Sequence, residues 1–281
     1  MTTLNHKITE LRHCLAGLKH VVICFSGGVD STYLLAMAVE SLGGNAVALT
    51  AVSPSLAPEE AEAAKTIATS LGARHIVVET YELDDPRYAA NPVNRCYFCK
   101  TEVYGQAVQK ATQLGISSVL DGFNVDDRGD YRPGHHAAKE QGVRSPLDEC
   151  GFTKADIREA ARRLGIPIWD KPALACLSSR FPYGTSITPD RLTQVAKCER
   201  ILREHGFNIC RVRYFGPCAR IEVAPNMIPQ LRDAKVLVDI TTQFRAAGFS
   251  QIEIDPDGYR QGALNRETSV QPVQLLSLIH I

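Results

Sequence analysis

The sequence predicts an α/β chain in which a parallel sheet wrapped by helices is followed by a smaller α+β domain. Three observations predict it. Short apolar runs alternate with helical segments from Val21 to about Asp170, and strands separated by helices pair in parallel. A glycine-rich turn, Ser26-Gly27-Gly28-Val29-Asp30-Ser31, joins the first apolar run to the first helical segment. Beyond Pro189 the rhythm becomes helix, two short strands, helix and strand. Domains are expected over residues 1–185 and 186–281, the boundary falling in the Pro-, Gly- and Thr-rich stretch 181–189.

The first strand is expected over Val21, Val22, Ile23, Cys24 and Phe25, with Cys24 in the core, and Thr32–Val39 suits a packed helix. Strand Ala46–Val52 ends at Ser53 and Pro54, and Glu59–Leu71 reads as a helix stopped by Gly72. Strand Arg74–Val78 is followed by an irregular stretch, a helix over Glu102–Leu114 closed by Gly115, and strand Ser118–Asp121. Thr153 is placed to cap a helix over Lys154–Leu164, which Gly165 stops and which leads to an extended run, Ile166–Trp169. In the second domain, helix Arg191–His205 leads to strands Cys210–Phe215 and Arg220–Val223, a helical region Val236–Ala247 and strand Gln251–Asp255. Leu275–Ile281 are apolar without a usable period. Parallel sheets bind ligands at the carboxyl ends of their strands, where Ser26, Ser53 and Asp121 fall.

Composition narrows the class. The 281 residues are about twice a typical domain, and 44% hydrophobic content supplies cores without implying a membrane. No apolar run is long enough to span a bilayer, and Met1–Lys7 lacks the apolar core of a secretory signal, so a cytoplasmic location is expected. Lys+Arg and Asp+Glu are both 31, which argues against a broad nucleic-acid surface though not against a local basic pocket. Nine cysteines without a secretory signal point to reduced thiols or metal ligands.

Gly27 and Gly28 permit backbone angles closed to other residues, and the helix that follows presents unpaired N–H groups and its positive end, which makes the turn a phosphate cradle. No lysine precedes the final hydroxyl residue, so this is not a Walker loop; Ser26, Asp30 and Ser31 offer hydroxyls and a carboxylate instead. A second constellation is Cys96 and Cys99 in NRCYFCK with Cys176 in ACLSSRFPYG. Three thiolates without a convincing fourth suit a 4Fe–4S cluster with one iron left open, whereas structural zinc would want a fourth ligand, for which His135 and His136 are the nearest candidates. The remaining cysteines read as small apolar residues. Arg211 and Arg213 alternate along one strand and share a face, as Arg220 and Glu222 do on the next. Such a guanidinium pair suits a nucleotide phosphate or a departing pyrophosphate, and Arg180 is placed to join it; the alternative is a solvated strand face carrying surface ion pairs.

SGGVDS resembles the PP-loop of ATP pyrophosphatases. Together with NRCYFCK, DGFNVDDRGDYRPG from Asp121, CLSSRFPYG, VRVRYF, ARIEV and GYRQGALN from Gly258, it resembles the LarE family of ATP-dependent sulfur transferases in order from about residue 20 to 265. The resemblance implies a Rossmann-like adenosine-nucleotide hydrolase domain followed by a smaller α+β domain, in a homo-oligomer. It further implies ATP and magnesium as cofactors and adenylylation of the carboxylates of pyridinium-3,5-biscarboxylic acid mononucleotide. Sulfur would then come from sulfide or another donor through a cluster on Cys96, Cys99 and Cys176, or from Cys176 itself, which would be left as dehydroalanine. Asp30 would be the magnesium-linked carboxylate, and Glu199 and Glu222 match acidic residues of the family's second site. Asp130, Tyr131 and Arg132 fit equally well as structural residues.

Three other readings share parts of this pattern. A tRNA-thiolating enzyme would share the loop, cysteines and adenylylation, but the neutral charge and the lack of an RNA-binding extension weigh against it. An amidating synthetase would keep SGGVDS without needing the cysteines, and a regulatory module with structural zinc would bind ATP without turning it over.

Overall fold

A computed structural model describes residues 3–129, 134–172 and 175–260. Asp130, Tyr131, Arg132, the motif beyond Arg260 and the apolar run Leu275–Ile281 lie outside the described residues. The chain divides into two units, the first ending at Cys176 and the second starting at Leu177. The expected boundary lay nine residues later, after residue 185. The difference has a local cause: the turn Leu177–Arg180 and Phe181 belong to the second unit, through the Arg180–Glu199 ion pair and a ring contact of 5.0 Å between Phe181 and Tyr214.

The elements of the first unit are α1 (Leu4–Ala16), β1 (Val21–Cys24), α2 (Val29–Leu42), β2 (Ala46–Val52), α3 (Pro58–Ser70), β3 (Arg74–Glu79), α4 (Pro86–Ala89), α5 (Arg95–Gln113), β4 (Val119–Leu120), α6 (Gly134–Glu140), α7 (Pro146–Glu149) and α8 (Lys154–Arg163). The strands form one parallel sheet in the order β3-β2-β1-β4, with Cys24 opposite Leu49 and Ile23 opposite Leu120. Strand alternation sends Val21 and Ile23 to one face, where they pack with α1, α2 and α8, and sends Val22 to the other, where it packs with α5 and α6. Both faces are covered, which is why β1 reads as an unbroken apolar run. Cys24 packs against the second of these clusters but remains partly exposed at the carboxyl rim.

In the second unit α9 (Pro189–Glu204) precedes the hairpin β5 (Cys210–Phe215) and β6 (Cys218–Val223), then α10 (Ile228–Leu231), α11 (Ala234–Ala246) and β7 (Gln251–Ile254). β5 pairs antiparallel with β6, and β6 pairs parallel with β7. Val212 and Ile221 from the sheet and Leu192, Val195, Ile240 and Phe244 from α9 and α11 are fully buried.

Helices α1, α4, α6, α7 and α10 have no counterpart among the expected elements, and two expected elements take another form. The cysteine pair is helical, because α5 begins at Arg95 rather than near Glu102. Ile166–Trp169 is a turn, closed by a 3.2 Å bond from Trp169 N to Ile166 O, and the Arg158 guanidinium holds the carbonyls of Trp169 and Lys171.

Candidate active site

The Ser26–Ser31 turn lies at the carboxyl rim between β1 and α2. Gly27 has φ +69°, and a Cβ there would sit 3.1 Å from the Ala64 Cβ of α3, so both backbone angle and space exclude a side chain. Gly28 caps α2 with no side-chain cap, while its carbonyl accepts the first helical bond from Thr32 N at 2.9 Å. The first turn of α2 therefore lacks the side-chain acceptor that Ser, Thr or Asp would provide at its cap, and its positive end is open to an anion. The serines close the loop. Ser26 Oγ and Ser31 Oγ lie 3.1 Å apart, Ser31 Oγ donates to Gly28 O at 3.2 Å, and the N–H groups of Ser26 and Gly28 donate to Ser31 Oγ and Ser26 Oγ at 3.3 Å each.

Asp30, in the first turn, accepts from Asn124 Nδ2 at 3.4 Å. Asp121 follows β4 directly and is buried. Its oxygens accept from Tyr104 Oη and Ser145 Oγ, both at 2.7 Å, and from Phe123 N at 3.2 Å. Burial and the Asp121 carboxylate raise the Tyr104 phenol well above its ordinary value, so it stays a donor. Asp121 thus shapes the rim as a fully bonded carboxylate. Gly122 beside it has no room for a Cβ, which would sit 2.9 Å from Ser31 N. Ser53, at the end of β2, donates to Glu82 Oε1 at 2.5 Å, joined by Ser55 Oγ at 2.8 Å. Glu82 Oε2 is buried with no hydrogen-bond partner among the described residues.

The cysteines stand near this rim. Cys96 and Cys99 occupy the first two turns of α5, where the helix dipole favours thiolates. Burial outweighs it: both thiols are raised, first by desolvation and next by the charge of Cys176, with Lys100 opposing. Cys96 is reached by solvent, yet neighbouring atoms crowd its sulfur enough for desolvation to dominate. Cys176 is therefore near enough for its charge to act on both. Among the described residues no three His, Cys, Asp or Glu side chains converge as ligands of a single ion. A lone zinc needs its sulfurs drawn within one coordination sphere, whereas a cluster binds each thiolate at a different iron. His135 is occupied otherwise, its ring stacked on Phe123 at 3.9 Å, and His136 is exposed.

The second unit holds a separate polar cluster. Arg180 grips Glu199 with Nε and Nη2 at 2.8 and 2.9 Å, and Arg213 grips Glu222 at 2.8 and 2.7 Å; all four side chains are buried. Burial raises the Glu199 carboxyl, but Arg180 with further help from Arg211 holds it below its ordinary value. Arg211 lies opposite Glu222 in the register, and Arg213 opposite Arg220. Arg211 has no carboxylate within ion-pair distance among the described residues; its guanidinium carbon lies over the Tyr259 ring, 4.9 Å from the ring centre. Arg220 lies 3.5 Å from Glu253 and over Phe215. The alternative of a solvated face with surface ion pairs does not describe the central pairs, Arg180–Glu199 and Arg213–Glu222, which are buried. Glu82, Tyr104, Gly122, Asn124 and Tyr259 are site residues that sequence reasoning did not single out; Gly122, Asn124 and Tyr259 lie inside motifs that it quoted.

The asparagine synthase family model matches residues 11–93, the segment holding the turn. The chain is 47% identical over 263 residues to an uncharacterized protein of Synechocystis sp., covering 94% of this chain and 98% of that one. It is 38% identical over 269 residues to the pyridinium-3,5-bisthiocarboxylic acid mononucleotide synthase of Lactiplantibacillus plantarum, covering 94% and 96%. It is also 30% identical over 191 residues to the tRNA-specific 2-thiouridylase MnmA of Heliobacterium modesticaldum, covering 54% and 49%.

Proposed function

Since the chain belongs to the LarE family of ATP-using sulfurtransferases, we propose that it converts the carboxylates of pyridinium-3,5-biscarboxylic acid mononucleotide to thiocarboxylates for a nickel-pincer nucleotide. The observation that carries the reading is the glycine-capped loop, open at the positive end of α2, lacking a Walker lysine and packed against Gly122, next to Asp121, whose hydrogen-bond partner Tyr104 feels the charge of Cys99.

A substrate carboxylate oxygen attacks the α-phosphorus of ATP, the bond to the bridging oxygen breaks, and pyrophosphate leaves. Backbone N–H groups of the loop with Ser26 and Ser31 hold the pyrophosphate. Asp30, oriented by Asn124, would carry magnesium on the phosphates. The acyl-adenylate then accepts sulfur at its carbonyl carbon and expels AMP. Cys96, Cys99 and Cys176 would hold a 4Fe–4S cluster, which supplies an exchangeable sulfide. Arg211 would bind the 5′ phosphate of the mononucleotide, with Arg213 and Arg180 fixed by Glu222 and Glu199 as its frame. Ser53 and Asp121 shape the nucleotide rim. A cytoplasmic location and a homo-oligomer accompany this reading.

Anaerobic purification with iron and sulfide analysis, followed by assay with ATP and the mononucleotide, tests it. AMP and pyrophosphate should form only with substrate, and with a sulfide source the protein should turn over more than once. ADP and phosphate as the main products would refute the adenylylation. Iron-free protein that stops after one sulfur with dehydroalanine at Cys176 would replace the cluster by the sacrificial route, and tRNA-dependent AMP release would favour the thiouridylase reading.

A further inference from the structure

We propose that Tyr259 is a positioning residue, which holds the Arg211 guanidinium edge-free for a phosphate monoester dianion; this rests on the mononucleotide reading above. Arg180 and Arg213 spend both prongs on Glu199 and Glu222, so neither has a fork left for a ligand. Arg211 is different. One N–H goes to the Cys210 carbonyl at 2.7 Å, and the guanidinium carbon lies 4.9 Å from the Tyr259 ring centre. A cation–π contact uses none of the guanidinium's N–H donors, so those not bonded to Cys210 stay available to a ligand.

The segment that carries Tyr259 is built to place it. Asp255 N bonds Ile221 O at 2.9 Å, and Asp257 N bonds the Asp255 side chain at 2.9 Å. Tyr259 N bonds Val223 O at 2.7 Å, so the ring is tied to the end of β6. Gly258 has φ +70°, and a Cβ there would lie 2.5 Å from the Val223 carbonyl oxygen, which leaves glycine alone able to make the approach. Charge supplies the ligand class. Arg211 has no carboxylate within ion-pair distance among the described residues. A phosphate monoester near neutral pH carries about −1.5 to −2. Burial and the neighbouring Arg180 disfavour the Arg211 cation more than Glu199 favours it, so a dianion bonded here offsets that cost.

The mononucleotide and its dephosphorylated nucleoside are titrated into wild type, Y259F, Y259L, R211A and the Y259L/R211A double variant by calorimetry, with thermal melting as a fold check. Y259L should weaken the mononucleotide roughly three- to thirtyfold, the span of a cation–π contact. Y259F should stay within about twofold, because the ring is kept, and the nucleoside should bind all variants alike. The double variant should be no weaker than R211A. In turnover the KM for the mononucleotide should rise in Y259L while kcat for AMP formation holds. Wild-type mononucleotide affinity in Y259L alongside a loss in R211A overturns the inference and leaves the phosphate reading standing. Wild-type affinity in R211A as well overturns that reading itself. Equal losses for mononucleotide and nucleoside in Y259L also overturn the inference, because they report general unfolding.

Discussion

Arg211 and Arg213 alternate on one strand, but their partners give them different tasks, and a pair of alanine substitutions separates the two. Arg211→Ala removes a cation with no carboxylate in ion-pair distance among the described residues, so the fold should survive and mononucleotide affinity should fall by ~1.5–3 kcal/mol, the range for hydrogen bonds to charged groups. Arg213→Ala strands the buried Glu222 carboxylate and should cost about 3–5 kcal/mol of stability. Urea unfolding of the two variants checks this, and equal destabilisation would contradict it. At the loop, Asp30→Ala should abolish pyrophosphate release with little change in melting temperature, measured by a coupled pyrophosphate assay. Asp30 is partly exposed in the first turn of α2, so its loss empties no core.

Helix α8 opens with a reciprocal cap: Asp156 N donates to Thr153 Oγ1 at 3.2 Å, and Thr153 N donates to Asp156 Oδ2 at 3.0 Å. Lys7 of α1 adds an ion pair to the same carboxylate at 2.6 Å. Thr153→Ala should cost about 1 kcal/mol by thermal denaturation. Burial would raise the Asp156 carboxyl, but Lys7 and Thr153 hold it below its ordinary value. A depressed folded value contributes stability that is present above the unfolded carboxylate value and lost as pH falls through the folded one. Wild type should therefore lose more stability between pH 7 and pH 3, roughly spanning carboxylate titration, than Asp156→Asn does. This cap was legible, as were β2, over the whole of Ala46–Val52, and β5, because propensity, apolar pattern and turn residues agree there. The start of α5 was not: polar residues and two cysteines mask a period that begins at Arg95. Ile166–Trp169 carries strand-like apolar residues but finds no strand to pair with, and Arg158 stabilises the turn instead. The loop and three cysteines of the candidate site were readable because their chemistry is local. Glu82 and Tyr104 were not, since only the fold carries them to Ser53 and Asp121.

For the whole molecule, the proposed function gives the loop and the thiols chemically separate steps within the first unit, and on that proposal removing iron should uncouple them. Chelation of anaerobically reconstituted protein, or alanine at Cys96, Cys99 or Cys176, should end sulfur transfer and visible absorption while substrate-dependent AMP formation continues; simultaneous loss of both activities would show that the cysteines serve adenylylation too. No helix among the described residues is long and apolar enough to cross a membrane. The bare glycine cap of α2 bears on turnover as well as binding. On the proposed reaction, a helix end with no side chain of its own to occupy it would take the departing diphosphate as a surrogate cap, and release of that group should then be slow. Added pyrophosphate should then compete with ATP, and a pyrophosphatase in the assay should quicken later cycles while leaving the first untouched.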